Sequence, residues 1–220
     1  MRNQRWARYA ERMTDAYGLV LLLVVVTYVT GSLTRFDGWG AVALSAAAGT
    51  SAVVAFGSSG VPVGRVRLGA AIAFVSVALT AIAAIASGDD GLLASAGAIE
   101  VVLLVAATFV VLREVLSASA VSFRTILGAI SVYMIFGLLF SSLYVTIDRL
   151  QAAPFFAEGG TGTGDFLFFS FTTLTTTGYG NLVPAGQPGK MFAGLEMLLG
   201  QIFLVTLIAG LVSLWRPRRD

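Results

Sequence analysis

The chain has 220 residues, of which 57% are hydrophobic and only 12% are charged, and its mean hydropathy is +0.87. A soluble domain carries about 25% charged residues, so this composition indicates a polytopic membrane protein. The sequence contains no cysteine and no histidine, which excludes disulfides, thiolate or imidazole metal sites and histidine-based catalysis.

Residues 1–16 carry arginines at spacings of three and four, at positions 2, 5, 8 and 12. This pattern favours a basic amphipathic helix on the cytoplasmic membrane surface, and a poorly ordered basic tail explains it equally well. The apolar run that follows lacks a cleavage pattern of small residues and is succeeded by further apolar segments. We therefore interpret it as a retained span and not as a signal peptide.

Six apolar segments are long enough, or nearly so, to cross a bilayer core of about 30 Å, which takes about 20 helical residues. They cover residues 17–34, 40–57, 68–87, 92–112, 126–147 and 188–215. The second is the weakest of the six, but its alanine, glycine and serine residues suit close helix packing in a membrane. The sequence therefore predicts an all-α membrane protein with six transmembrane helices.

The basic residues predict the orientation of these spans. If the N-terminus is cytoplasmic, only Arg35, Arg149 and Lys190 of the 14 basic residues fall on the outer side, which leaves 11 inside. This distribution obeys the positive-inside rule and puts both termini, including the basic tail 216–220, in the cytoplasm. We expect a multi-pass protein of the cytoplasmic membrane, in which the mixed polar and apolar linker 113–124 forms an interfacial connecting helix in preference to an irregular loop.

The stretch between the last two spans contains a segment too short to cross the membrane. Residues 151–164 have the composition of an outer loop, and the apolar residues 165–175 follow, with Asp165 placed to cap a short helix. A short helix and a glycine-containing loop between two spans predict a re-entrant hairpin. Such backbone is tolerated at membrane depth only when it is buried in protein or lines a water-filled cavity, which indicates a conduction pathway.

Residues 175–181 read Thr-Thr-Thr-Gly-Tyr-Gly-Asn. This stretch resembles the T-V-G-Y-G-D signature of the tetrameric potassium channel superfamily, whose filter of backbone carbonyls is well known. A glycine-rich turn with the same letters is the alternative, but the short helix before it and the spans on both sides argue against it. The resemblance extends over residues 125–215 and implies an outer helix, a pore helix, a selectivity filter and an inner helix.

The physical requirement of such a filter can be read from the same residues. A dehydrated cation needs a cage of oxygens, and backbone carbonyls form one if left- and right-handed conformations alternate. Gly178 and Gly180 adopt left-handed conformations at low cost. Four copies would stack K⁺-binding rings of carbonyls, with a hydroxyl at the inner end, from Thr176, Thr177, Gly178 and Tyr179.

Two positions depart from the family signature, and both affect the support of the filter. Thr177 stands where valine is common, and Asn181 stands where an aspartate commonly bonds to a pore-helix acid, whose equivalent here is Thr172. The resemblance therefore implies retained potassium selectivity but altered filter rigidity. We expect Tyr179 to pack against pore-helix aromatics such as Phe168 or Phe169.

The last span resembles the inner helix of the family. Gly200 lies where many relatives have a hinge glycine, and one helix face carries the side chains of Met197, Gln201, Leu204, Ile208 and Val212. If this face lines the pore, Gln201 forms a polar ring in the cavity, and Ile208 with Val212 forms a hydrophobic constriction. Packing between helices is the alternative for all of them.

Two acids lie inside predicted spans, where ionisable groups are costly and commonly functional. Glu196 is one turn before Gly200, and we expect it to hydrogen-bond to Thr172 or Thr173 and to brace the filter from behind, or else to rest solvated in the cavity. Glu100 has no partner that the sequence identifies, and a structural hydrogen-bonding role is preferred for it.

Residues 17–112 resemble the four-helix voltage-sensor domain of six-segment channels. The fourth span contains no arginine before Arg113, whereas each gating charge contributes about 2.3 kcal/mol per 100 mV. We therefore expect no steep voltage dependence. Since the filter occurs once per chain, a ring of four donors needs four chains, and a homotetramer is predicted.

Together these features predict a non-enzymatic, potassium-selective channel with K⁺ as permeant ion, membrane lipid as surroundings, and neither a cofactor nor a nucleic acid as partner. Three alternatives remain open: a non-selective monovalent cation channel of the same fold, a non-conducting accessory subunit, and a component of a potassium transporter.

Overall fold

A computed structural model describes residues 17–33, 39–86, 89–118, 122–158 and 162–214. The described chain contains helices α1 (Tyr17–Leu33), α2 (Trp39–Ser58), α3 (Val63–Ile85), α4 (Asp90–Leu116), α5 (Phe123–Leu150), α6 (Thr163–Leu174) and α7 (Gln187–Leu214). One isolated antiparallel bridge joins Phe156 to Pro184. The predicted basic segments 1–16 and 216–220 lie outside the described residues.

Five of these helices are long and apolar enough to cross a membrane, namely α2, α3, α4, α5 and α7. Helix α1 is apolar but shorter, with 17 residues. An all-helical chain with five such helices fits the predicted multi-pass membrane protein, whereas a sixth crossing by α1 stays a prediction.

The separate connecting helix expected at 113–124 is absent from the described part of that stretch. Helix α4 continues to Leu116 and α5 begins at Phe123, so that residues 117, 118 and 122 are the described residues between them. Good helix formers at 113–116 extend α4, and the Ser122 hydroxyl then accepts the amide hydrogen of Thr125 at 3.2 Å to start α5.

Helices α1 and α4 pack against the α5 and α6 of the same chain, and α2 and α3 pack against α1, α4 and each other. Helix α4 lies along α5 in the most extensive helix contact, and α1 contacts both α5 and α6. Glycines allow close approaches to α6, because a Cβ at Gly31 of α1 would overlap Leu167 and one at Gly137 of α5 would meet the ring of Phe171. A continuous hydrophobic cluster therefore extends from α1 and α4 through α5 to α6.

Many hydroxyls of the spans bond within their own helix. Thr27, Thr50 and Thr80 each donate to the carbonyl four residues earlier, at 2.7 to 2.9 Å. In lipid a polar group without a partner is costly, so this back-bonding lets small polar residues occupy membrane helices. The hydroxyls that bond between helices are therefore the informative ones.

Candidate functional site

Helix α6 ends at Leu174, directly before the segment 175–181 whose sequence was singled out above. It spans 12 residues and about 18 Å, too short to cross a bilayer. It begins two residues earlier than predicted, and Asp165 lies inside its first turn, where its Oδ2 accepts the Gly162 amide at 3.0 Å. The charge still complements the helix dipole, although Asp165 is not the N-cap residue.

The backbone after α6 alternates in handedness. Thr176, Gly178 and Gly180 have φ angles of 55°, 52° and 80°, whereas Thr177 and Tyr179 between them have no positive φ. A lack of room for a side chain does not explain the two glycines, because a Cβ at Gly178 or Gly180 would meet no atom of the same chain within 4 Å. The requirement is conformational: a left-handed residue other than glycine costs about 1–2 kcal/mol.

Hydrogen bonds from the end of α6 hold this backbone. The carbonyl oxygen of Thr172 accepts the amides of Thr177 at 2.8 Å and Gly178 at 3.1 Å, and that of Thr173 accepts the amide of Thr176 at 2.9 Å. These bonds fold the chain back over the C-terminus of α6. The entry into the alternating segment is therefore rigidly connected to the short helix.

Thr176 is the left-handed residue that is not a glycine, and α7 contacts its side chain. Gln201 donates through Nε2 to the Thr176 hydroxyl at 2.8 Å. The sequence predicted Gln201 only as a pore-lining residue and assigned the left-handed conformation only to glycines. This contact joins the start of the alternating segment to α7.

The aromatic residues near the alternating segment lie in two different environments. The ring of Tyr179 stacks on Phe168 with 5.7 Å between centroids. Phe169 instead lies in a buried aromatic cluster with Tyr144, Phe155 and Phe156.

Thr172 and Asn181, expected behind the segment, both line an open cleft of about 420 Å³. The Thr172 hydroxyl donates to the carbonyl of Phe169 at 3.0 Å, within its own helix. Asn181 is exposed in the single chain. Both uncharged side chains thus line a surface that the single chain leaves open.

Glu196 lies fully buried behind the segment, and its partners differ from the expected ones. Its carboxyl group contacts Tyr144 Oη at 2.6 Å and Ser170 Oγ at 2.5 Å, not Thr172 or Thr173. Ser170 Oγ also lies 2.8 Å from the carbonyl oxygen of Gly137.

The Ser170 hydroxyl shares its one hydrogen between two acceptors, the Glu196 carboxyl group and the Gly137 carbonyl oxygen. Through Ser170 and Tyr144, Glu196 therefore joins α5, α6 and α7.

Gly200 permits a close approach between α7 and the end of α6. A Cβ at this position would overlap the carbonyl oxygen of Leu174, which also accepts the Tyr133 hydroxyl at 3.2 Å. This packing role was not predicted, and the predicted hinge role stays a prediction. Leu204 is partly buried, and the side chains of Ile208 and Val212 lie outside the described ones, so the constriction also stays a prediction.

Tyr144 and Ser170 were not predicted from the sequence as partners of Glu196, although the sequence contained an indication of them. A buried acid in a membrane needs hydrogen-bond partners, and few polar side chains lie at matching depth in the neighbouring apolar segments. Which of these face Glu196 depends on how the helices pack, and that information is absent from the residue pattern.

Comparison with known proteins agrees with this geometry. Residues 128–216 match a protein-family model described as "Ion channel", and no match was found among solved structures. The matched stretch runs from α5 through α6 and the alternating segment to α7, and it contains every contact of Glu196 described above. The match indicates an ion channel of the pore-loop type over these residues, while α1–α4 lie outside it.

Proposed function

We propose that this ion channel is selective for K⁺ and that the chain is one of four identical subunits. The observation that supports this most directly is the alternation of positive and non-positive φ from Thr176 to Gly180. Alternate handedness turns successive carbonyl oxygens towards the same side, and carbonyls so arranged replace the hydration shell of K⁺. The filter rings come from the carbonyls of Thr176, Thr177, Gly178 and Tyr179, and the Thr176 hydroxyl, oriented by Gln201, adds the innermost ring.

The surroundings of the filter support this assignment. Glu196 fixes α6 from behind through Ser170, and the ring stacking of Tyr179 on Phe168 turns that side chain away from the carbonyl side. Asn181 and Thr172 carry no charge, so hydrogen bonds and packing, not a charged acid pair, stabilise the filter. Gly200 brings α7 against this assembly, with Gln201 and Leu204 on the pore-facing side.

The tetramer follows from two features of the chain. The filter segment occurs once, and a ring of four carbonyl donors therefore needs four chains related by cyclic symmetry. Helix α7 also leaves large apolar side chains uncovered, among them Leu198, Ile202 and Val205. Lipid and neighbouring copies would cover them. The filter faces the outer side of the cytoplasmic membrane, and both termini lie in the cytoplasm, as the distribution of arginines favours.

Reversal potentials of the purified, reconstituted chain under opposed K⁺ and Na⁺ gradients test the proposal. We expect a reversal potential close to that for K⁺ and block by Ba²⁺. Gly178→Ala forces a side chain into a left-handed filter residue and should abolish the current. Gly60→Ala is the matched control, since Gly60 is also left-handed, with φ of 67° and free space around it, but lies outside the filter.

Each other result identifies one of the alternatives. Equal permeability to K⁺ and Na⁺ would replace the proposal by a non-selective channel of the same fold. Tetramers that carry no flux would identify an accessory subunit or a transporter component. An equal loss of current in Gly178→Ala and Gly60→Ala would remove the assignment of the filter to this segment.

A further inference from the structure

A cavity of about 90 Å³ lies between helices α1–α6, apart from the filter. Its lining begins at Ala41, Leu93 and Arg149, near the ends of α2, α4 and α5 that lie on the filter side. It continues inward to Thr80 and Glu100. Since a water molecule occupies about 30 Å³ in the liquid, the space suffices for about three waters.

Glu100 forms part of the inner wall of this cavity. Its residue is only 8% exposed, and it lies ten residues into α4, about 15 Å from the start of the helix. The Ser142 hydroxyl of α5 donates to its Oε1 at 2.9 Å, and Ser45 of α2 also lines the cavity. The acid thus connects α4 to α5 at a buried position.

The hydroxyls of this cavity offer Glu100 few donors. Ser45 Oγ lies 3.2 Å from Ser76 Oγ, which donates to the carbonyl oxygen of Ala96 at 3.1 Å. Since Ser76 uses its one hydrogen there, the contact between Ser45 and Ser76 takes the hydrogen of Ser45. The donor left for an ionised Glu100 is the Ser142 hydroxyl, whereas a buried charge needs several donors or a cation.

No positive charge in the cavity lining compensates an ionised Glu100. Arg149 at the mouth is the charged lining residue besides Glu100, and it is bound to Asp90 at 2.6 Å. The remaining lining from all six helices consists of residues with hydroxyl groups, glycine, alanine and other aliphatic residues, such as Thr27, Thr80 and Leu167. A proton is therefore the cation that this site is built to take, since one carboxyl group and a few hydroxyls form too small a set for a metal ion.

We propose that this cavity is a proton-binding site, reached from the filter side, in which Glu100 takes up the proton and sets how firmly α4 holds α5. The proposal rests on the assignment of α5–α7 as a pore. Helix α5 carries both Ser142, which contacts Glu100, and Tyr144, which donates to Glu196 behind the filter. Loss of the proton from Glu100 leaves a buried charge without a cation and draws water into the cavity. This loosens α4 against α5 and weakens the support of the filter.

The test applies pH steps from about 5 to about 9, where buried carboxyl groups of proteins titrate, to each face of excised patches containing the full chain. We expect the open probability to fall at least about fivefold as the filter-side pH rises, a typical size for coupling between two sites. Glu100→Gln can still accept from Ser142 and carries no titratable group, so it should stay active at high pH. Glu114→Gln, an exposed acid at the other end of α4, should respond as the unmodified chain does.

Two results would overturn the proposal: an open probability that does not change with the filter-side pH, or a pH response in Glu100→Gln equal to that of the unmodified chain. Infrared titration of the reconstituted protein gives a readout that needs no current. The difference between the spectra of the unmodified chain and Glu100→Gln should contain a band of a protonated carboxyl group that disappears as the pH rises. If the protein carries no current but this band titrates, the proposed function fails while the proton site stands. If currents are selective and no such band titrates, the proton site fails alone.

Discussion

Helices α5 and α7 are both 28 residues long and both apolar, yet the chain covers them very differently. In the most apolar stretch of α5, 56% of the residues are buried within the chain, against 17% in the corresponding stretch of α7. Helix α5 packs against α1, α4, α6 and α7, whereas α7 contacts mainly α5 and α6. Helix α5 therefore packs mainly within its own chain, whereas much of the surface of α7 is left for other molecules to cover.

The largest effect is expected where α5 is most enclosed, at Tyr144. Its side chain is fully buried, and Tyr144→Ala removes a ring packed on Phe155 and Phe169 and leaves Glu196 without its donor. We expect the free energy of unfolding in mixed micelles to fall by about 3–5 kcal/mol. Tyr144→Phe removes only the hydroxyl and should cost about 1 kcal/mol, as hydrogen bonds in membranes do. Equal losses in both variants would assign the stability to the hydrogen bond and not to the ring.

A smaller effect is expected at the one close approach of α7 to the end of α6. Gly200→Ala drives a methyl group against the backbone of Leu174, and unfolding free energy should fall by about 1–3 kcal/mol. Gly194→Ala on the same helix meets nothing within 4 Å and should be neutral or stabilising by up to about 1 kcal/mol. Chemical denaturation of both proteins gives the comparison. If the two variants lose the same stability, the close packing at Gly200 is not what this glycine provides.

The smallest effect within one chain is expected on the uncovered face of α7. Leu198 is 61% exposed, and Leu198→Ala should change unfolding by less than about 0.5 kcal/mol in detergent at dilution that keeps the chain monomeric. Leu104→Ala, at a fully buried position of α4, should cost about 2–5 kcal/mol. Under conditions of assembly, Leu198→Ala should lower the tetramer fraction measured by native mass spectrometry. A loss in the monomer as large as that of Leu104→Ala would mean that the chain itself covers α7.

The helices could be predicted from the sequence because each depends on a local pattern. Apolar runs located the centres of the spans, and only the ends differ, as where α4 extends to Leu116 and α5 begins at Phe123. The short helix before the alternating segment was recognised from its length and its position between two spans. The same local reasoning predicted a separate helix at 113–124, because the residue pattern does not show whether α4 continues into this stretch or a new helix begins there.

The contacts that hold the site could not be predicted in the same way. Glu196 binds Tyr144 and Ser170, which are 52 and 26 residues away in the sequence, and only helix packing brings them together. The left-handed conformation of Thr176 depends equally on its surroundings, since its residue type gives no reason to expect φ of 55°. Residue types therefore indicated that Glu196 needed donors, while the identity of those donors required the tertiary structure.

The packing of α1 and α4 on the α5 and α6 of the same chain has a consequence for assemblies of more than one copy. In the tetramer proposed above, a chain that keeps these contacts uses its own peripheral helices and can fold before it associates. In an assembly that mixes altered and unaltered chains, a defect in α1–α4 would then stay with the quarter that carries it. The number of altered chains, and not their order around the ring, would determine how such a mixture behaves.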